Sequence, residues 1–103
     1  MKCIINSKRY DTETAQRIAA WDSRHPVNDF HREEESLYRT AGGNWFLHWE
    51  GGALSSRRLC VGREYHRNLG ITPLSEPEVL AWLERRNLPD VVEKWFPSHI
   101  QNA

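Results

Sequence analysis

Apolar and polar residues alternate on both sides of a glycine pair near the middle of the chain, and this pattern predicts a β-hairpin. The stretch 36–55 reads SLYRTAGGNWFLHWEGGALS. Glycine permits the positive φ that a tight turn needs, so Gly42 and Gly43 are the predicted turn, with Thr40 opposite Trp45. Because strand side chains alternate between two faces, the predicted core face carries Tyr38, Trp45, Leu47 and Trp49, and the mixed face carries Leu37, Arg39, Phe46 and His48.

Shorter patterns predict further strands. Residues 2–6 and 9–10 form a strand pair around the turn residues Asn6, Ser7 and Lys8. Residues 59–61 form either a brief strand or an anchor within a long loop, and the sequence leaves both open. Residues 70–74 form a last strand. Pro73 favours an edge position for it, because proline lacks the N–H that a central strand donates.

Apolar residues at helical spacing predict three helices. The first begins at Asp11 or Thr12 and ends near Trp21, with one side formed by Ala15, Ile18, Ala19 and Trp21. The second begins at Ser75, which forms an S-x-x-E capping box with Glu78, and it ends at Asn87. Its buried side carries Val79, Trp82 and Leu83. The third helix covers residues 89–96.

These elements predict a single α+β domain over residues 1–103. Its centre is a small antiparallel β-sheet built on the tryptophan-rich hairpin, with helices packed on one face. A chain of 103 residues is long enough for one hydrophobic core, and five tryptophans give that core a large apolar area.

The charge balance argues against a global attraction to nucleic acid or anionic lipid, since 14 basic side chains match 14 acidic ones. The chain has no apolar run that resembles a signal peptide or a membrane span. We therefore expect a cytoplasmic protein with no membrane partner. In that compartment we expect the two cysteines, Cys3 and Cys60, to be reduced thiols.

Three motifs resemble those of short proteins encoded by phages and other bacterial mobile elements. They are YDTETA at 10–15, LYRTAGGNWFLHWEGGA at 37–53 and PLSEPEVLAWLE at 73–84. The pool of such proteins includes anti-CRISPR proteins. The resemblance therefore implies a viral accessory inhibitor that acts in the cytoplasm of a bacterial host. Similar chains carry a stretch rich in glycine and asparagine after the GGA block, whereas this chain is rich in arginine from 57 to 67.

No residue pattern predicts catalysis, a metal or a cofactor. His25 and His31 are six residues apart, as are Cys60 and His66, and this spacing matches neither an HExxH motif nor a zinc finger. Ser55 and Ser56 lack the G-x-S-x-G context of a nucleophile elbow. We expect no catalytic residue, no metal ligand and no cofactor, and a protein that is not an enzyme.

The arginine-rich stretch 57–67 is the predicted partner-binding surface. Arginine binds carboxylates and phosphates with two parallel hydrogen bonds, and with tyrosine it forms strong anchors at protein interfaces. The same residues could bind nucleic acid, or they could form a solvated loop without a partner. The predicted contacts are Arg57, Arg58, Arg63, Tyr65, His66 and Arg67, with Arg39 added from the hairpin.

A run of three acids before the hairpin, Glu33, Glu34 and Glu35, is a candidate second contact. It either docks on a basic groove of a partner or forms a solvated strand entry. Together with these candidate contacts, the resemblance to mobile-element proteins implies an inhibitor that binds a host defence protein, such as a CRISPR effector, and blocks it sterically through protein–protein contacts. The alternative is a nucleic-acid-binding accessory protein that uses the Arg57–Arg67 loop.

Overall fold

The computed structural model describes residues 1–24, 32–51, 61–64 and 67–103, with the backbone alone at 61–64 and 67. The predicted α+β class is confirmed, with a small antiparallel sheet around the tryptophan-rich hairpin. The strands are β1 Lys2–Ile5, β2 Lys8–Asp11, β3 Gln16–Asp22, β4 Glu34–Arg39, β5 Trp45–Glu50, β6 Val61–Glu64 and β7 Arg67–Leu74. The helices are α1 Glu76–Arg85 and α2 Pro89–Trp95, followed by a 3₁₀ turn at Pro97–His99.

Five strands form one antiparallel sheet in the order β3-β4-β5-β7-β6, and β1 pairs with β2 in a separate hairpin. Both helices pack on one face of the large sheet. The buried residues of that face are Leu37, Trp45, Leu47, Val79, Trp82, Leu83 and Phe96. This is the larger of two apolar clusters, and it contains the α1 residues that the sequence predicts to be buried.

The β1–β2 hairpin packs on the opposite face of the large sheet. The buried residues there are Cys3, Tyr10, Phe46 and Ile71. The Phe46 ring stacks on Tyr38 at a centroid distance of 5.2 Å and meets the Tyr10 ring edge-on at 5.6 Å. The large sheet is therefore covered on both faces at this end of its strands.

The predicted hairpin register is wrong by one residue. Arg39 pairs with Trp45 and Tyr38 pairs with Phe46, because the loop contains only three residues, 41–43. Gly43 takes a φ of 86° in this loop, as is usual where a turn is followed by a left-handed residue. A slip of one residue exchanges the two faces of a strand. Leu37 consequently joins the helix face, and Tyr38 faces the β1–β2 hairpin.

The predicted helix from Asp11 or Thr12 to Trp21 is also wrong, since residues 16–22 form strand β3. The register of β3 on β4 shifts between Arg17 and Ala19, which marks a β-bulge at Ile18. Because of the bulge, Ile18, Ala19 and Trp21 all pack against the helix-face cluster. The bulged strand thus reproduces the apolar spacing of a helical stripe.

Strand β7 as a whole is central, so the predicted edge position of residues 70–74 is wrong at Gly70, which pairs with Val61 of β6. It lies between β5 and β6, but β6 pairs only with residues 67–70 of β7. Pro73 pairs with Phe46 of β5 at a level that β6 does not reach. The missing N–H therefore costs no hydrogen bond to β6.

Helix α1 begins and ends as its sequence predicts. The Ser75 side chain accepts from the Glu78 N–H, and the Glu78 carboxylate accepts from the Ser75 N–H at 2.9 Å. At the other end, Asn87 has a φ of 55°. The Leu88 N–H then donates to the Leu83 carbonyl and the Asn87 N–H to the Glu84 carbonyl, which is a Schellman cap.

Two further expectations concern the cysteines and the membrane. Cys3 is disulfide-bonded, so the expected reduced thiol at this position is wrong, and Cys60 lies outside the described residues. In the described part of the chain, no helix is long and apolar enough to cross a membrane.

Candidate functional site

A charged groove runs along strand β3, where the β1–β2 hairpin no longer covers the large sheet. Its volume is about 800 Å³. We call it the β3 groove. Its lining residues come from β3 and the residues after it, from β4 and β5, and from the end of α1: Arg17, Ala20, Trp21, Asp22, Ser23, Arg24, Glu34, Glu35, Ser36, His48, Glu50, Arg86, Asn87 and Leu88.

A buried ion pair fixes one wall of the β3 groove. The Glu35 side chain is 4% exposed and the Arg86 side chain 17% exposed. One carboxylate oxygen of Glu35 accepts from the Arg86 Nε at 2.9 Å, from the Arg86 Nη2, and from the Trp82 indole N–H at 3.1 Å. The guanidinium carbon also lies 3.5 Å from the centroid of the Trp21 ring. Arg86 is therefore held in one position by a carboxylate and an aromatic ring.

A second set of contacts holds the acids near the end of β3. Arg32 donates from Nε and Nη2 to one oxygen of Glu34, at 3.1 and 2.8 Å, and its Nη2 lies 3.9 Å from Asp22. The Glu34 hydrogen bond raises the pKa of Arg32 above its ordinary value. The other oxygen of Asp22 accepts from the Arg24 N–H at 2.7 Å. These acids are thus already engaged within the chain.

Two arginines of the β3 groove are not engaged in this way. Arg17 and Arg24 are exposed, and neither guanidinium makes an ion pair or hydrogen bond with the part of the chain that the structure describes. Arg17 precedes the bulge of β3 and Arg24 follows the end of the strand. The two guanidinium groups are therefore placed at the two ends of β3 and can bind carboxylates from outside the chain.

His48 and Ser36 form a cross-strand pair on β5 and β4 inside the groove. Burial lowers the pKa of His48 below its ordinary value of 6.5, and the N-terminal ammonium lowers it further. His48 therefore favours the neutral form. No hydrogen bond joins these two side chains, so the pair does not form a nucleophile and base in contact.

The predicted site residues that the structure describes do not lie together. Arg39 lies between two tryptophans, with its guanidinium carbon 5.6 Å from the Trp45 centroid and 5.5 Å from the Trp95 centroid. Glu34 lines the β3 groove, and Glu33 continues the β3–β4 ladder through a bond from the Ser23 N–H to its carbonyl. Glu35 is buried against Arg86, so as a surface contact for a partner its prediction is wrong.

Most of the predicted arginine surface falls outside the described residues. This holds for Arg57, Arg58, Tyr65 and His66, and for the side chains of Arg63 and Arg67. Only the backbone of the last two is placed, at paired strand positions in β6 and β7. His25, His31 and Cys60 also lie outside. Among the residues that are described, no group of three His, Cys, Asp or Glu side chains is arranged to hold a metal ion.

Four residues of the groove, three arginines and one tryptophan, were not predicted from the sequence: Arg17, Arg24, Arg86 and Trp21. Their placement depends on residues 16–22 being a strand and, for Arg86, on the tertiary contact with Glu35, and no local signal in the sequence gives either. Comparison with known proteins adds nothing to this picture, because no family model, curated protein or solved structure matches the chain.

Proposed function

We propose that this chain is a non-enzymatic inhibitor, encoded by a mobile element, which binds a bacterial defence protein such as a CRISPR effector and blocks it sterically. The β3 groove is the proposed centre of the contact surface. The Arg57–Arg67 stretch stays part of the proposal as a second contact, and strand β6, whose backbone belongs to this stretch, lies at the opposite edge of the large sheet from β3. The resemblance of its three motifs to mobile-element proteins supports the class of partner.

The observation that carries the proposal is the kind of side chain in the β3 groove. Arg86 is held rigidly beside Trp21, and the guanidinium groups of Arg17 and Arg24 have no hydrogen-bond or ion-pair partner among the described residues. Tryptophan and arginine are the side chains that most often dominate the binding energy of protein interfaces. A held arginine also loses little conformational entropy on binding, which favours affinity.

The charge of the groove favours a protein partner over nucleic acid. Its arginines, with Arg32 alongside, are matched by equal numbers of acids: Arg17, Arg24, Arg32 and Arg86 against Asp22, Glu34, Glu35 and Glu50. Nucleic-acid binding draws on an excess of positive charge that contacts phosphates. A balanced groove with both signs suits the mixed charges of a protein surface.

The test is phage plating in bacteria that produce this chain. A panel of strains, each with one active CRISPR system, is challenged with a phage that the system targets and with one that it does not target. We expect plating of the targeted phage to rise in at least one strain, and plating of the other phage to stay constant. Unchanged plating in every strain, with the chain present in the soluble fraction, contradicts the proposal.

Paired variants locate the surface. Arg17→Glu with Arg24→Glu reverses the two unengaged charges of the groove and should abolish the effect on plating. Arg9→Glu with Arg85→Glu makes the same change of charge at exposed positions outside the groove and should leave the effect intact. Arg57→Glu with Arg58→Glu tests the Arg57–Arg67 stretch in the same assay.

A further inference from the structure

Strand β3 is the outermost strand of the large sheet at the groove. In an antiparallel pair, residues alternate between bonding to the neighbouring strand and pointing their N–H and C=O away from it. The Ser23 N–H donates to the Glu33 carbonyl at 2.9 Å, so Ser23 points toward β4. Because the bonding residues recur at every second position, Trp21 and Ala19 also bond to β4. The backbone groups of Ala20 and Asp22 therefore point away from the sheet.

These outward groups have no bonding partner in the described part of the chain. No backbone or side-chain hydrogen bond reaches the N–H or C=O of Ala20 or of Asp22. Both residues are exposed. An unpaired strand edge of this kind is a template for pairing with another extended chain.

Hollows lie on both faces of the sheet beside this edge. The β3 groove extends onto the face away from the helices at Ala20, Asp22 and Ser36, and a second hollow of about 220 Å³ lies between β3 and α2 on the helix face. The second hollow has an apolar part formed by Ile18, Val91 and Trp95, and its remaining lining residues are Gln16, Arg17, Asp90 and Lys94. Alternate side chains of an added strand would enter the two hollows in turn.

The charges at the edge specify what the added strand carries. Arg17 and Arg24 lie at the two ends of β3 and have no ion-pair partner among the described residues. Carboxylates near the two ends of an extended segment would meet them. Apolar residues between the carboxylates would alternate toward Ile18 and Trp95 in the second hollow.

We propose that the open edge of β3 binds an extended segment of the protein partner as an added strand, with acidic residues at its ends and apolar residues on the α2 side. The proposal deepens the proposed function and rests on it, since it names how the partner is held. Main-chain hydrogen bonds would provide affinity, and the two hollows would provide selectivity.

A second copy of this chain fits the edge less well. The bulge at Ile18 sets Arg17 out of step with the residues that follow it. Symmetric antiparallel pairing of two β3 strands would stay in register only over Ala19–Asp22, because a bulge breaks the alternation. A partner segment without this symmetry can adjust to the bulge.

The test uses a synthetic peptide, acetyl-EVTVTVE-amide, titrated into the ¹⁵N-labelled chain by NMR. In the proposed register its threonines bond to the Ala20 and Asp22 backbone, its valines face α2, and its end carboxylates face the arginines. We expect the largest amide shifts at Ala20 and Asp22. Losing the bonds by N-methylation of both threonines should weaken binding about tenfold or more. N-methylation of the valines, whose N–H groups point away, is the matched control and should change binding by less than about threefold.

Several results would overturn the proposal. One is absence of binding at millimolar peptide, and another is equal weakening by both N-methylated peptides. Equal binding of the lysine version, KVTVTVK, would refute the charge assignment. If the chain alone forms a dimer and Ala20→Pro converts it to a monomer, the β3 edge binds a second copy of the chain and not a partner segment. Proline is tolerated at this position because the Ala20 N–H points away from β4.

Failure of the peptide test and failure of the plating test contradict different proposals. If plating responds but the peptide does not bind, the inhibitor function stands and the β3 edge is not its contact. If the peptide binds but plating never responds, the edge is a binding site and the proposed inhibitor function is wrong.

Discussion

Removing the Glu35 carboxylate should destabilise the protein strongly, because two buried hydrogen-bond donors then lose their acceptor. In the Glu35→Leu variant, the Arg86 guanidinium and the Trp82 indole N–H lose the oxygen that accepts from both. Breaking a buried ion pair by removing one partner costs about 3–5 kcal/mol. Since the Arg86 side chain keeps 17% of its exposure, water can reach it in part, and we expect about 2–4 kcal/mol.

The assay is urea denaturation followed by tryptophan fluorescence, with the midpoint and the slope compared between variants. In a thermal denaturation of the same variants, a loss of this size should lower the Tm by roughly 8–32 °C in a domain of this length. Adding Arg86→Met to Glu35→Leu should restore most of the loss, because an apolar pair of similar volume replaces a buried ion pair at little cost. Glu34→Leu is the control, since the Glu34 side chain is 39% exposed and its partner Arg32 keeps Asp22 at 3.9 Å, and it should cost less than about 1 kcal/mol.

The reasoning fails if Glu35→Leu changes the free energy of unfolding by no more than Glu34→Leu does. It also fails if the double variant is as unstable as the sum of its two single variants, because the two side chains would then not be coupled.

Three further predictions concern single positions. Gly43→Ala should destabilise by about 1–2 kcal/mol because φ is positive there, whereas Gly42→Ala, whose added Cβ meets only ordinary contacts at 3.6 Å or more, should change stability by less than about 0.5 kcal/mol in the same denaturation assay. Ser75→Ala should cost about 1 kcal/mol through loss of the α1 cap, and a shift of the thermal midpoint measures it; an unchanged midpoint would show that the cap is not needed. Burial lowers the pKa of His48 below 6.5, so the stability that comes from keeping His48 neutral is complete above pH 6.5 and is lost as the pH falls through the lowered pKa. In denaturation measured from pH 8 to 5, the free energy of unfolding should therefore fall less steeply for His48→Gln than for the natural chain. Parallel curves would contradict this.

Helix α1 was predictable because its signals are local. Ser75 and Glu78 satisfy each other within one turn, and Asn87 adopts the left-handed conformation that ends a helix. Such bonds form in the same way in any tertiary context.

The hairpin register depends on a single loop residue and was therefore missed. A loop of three residues instead of four moves Leu37 to the helix face and Tyr38 to the other. The sequence allows both loops, and only the packing of the whole β4–β5 pair against the helices decides between them.

Strand β3 could not be predicted from its apolar spacing, because the bulge at Ile18 imitates a helical stripe. The β3 groove was missed for the same reason. Arg17 and Arg24 take opposite ends of one edge only when residues 16–22 are extended, and Arg86 reaches that edge only through the tertiary contact with Glu35.

The most direct test of the central claim is the affinity of this chain for the defence complex that responds in the plating assay, measured with the purified components before and after nuclease treatment. We predict that binding survives the nuclease, survives Arg9→Glu with Arg85→Glu, and is lost in Arg17→Glu with Arg24→Glu. Binding that disappears with the nuclease, or that the groove variant leaves unchanged, would contradict a protein contact centred on the β3 groove.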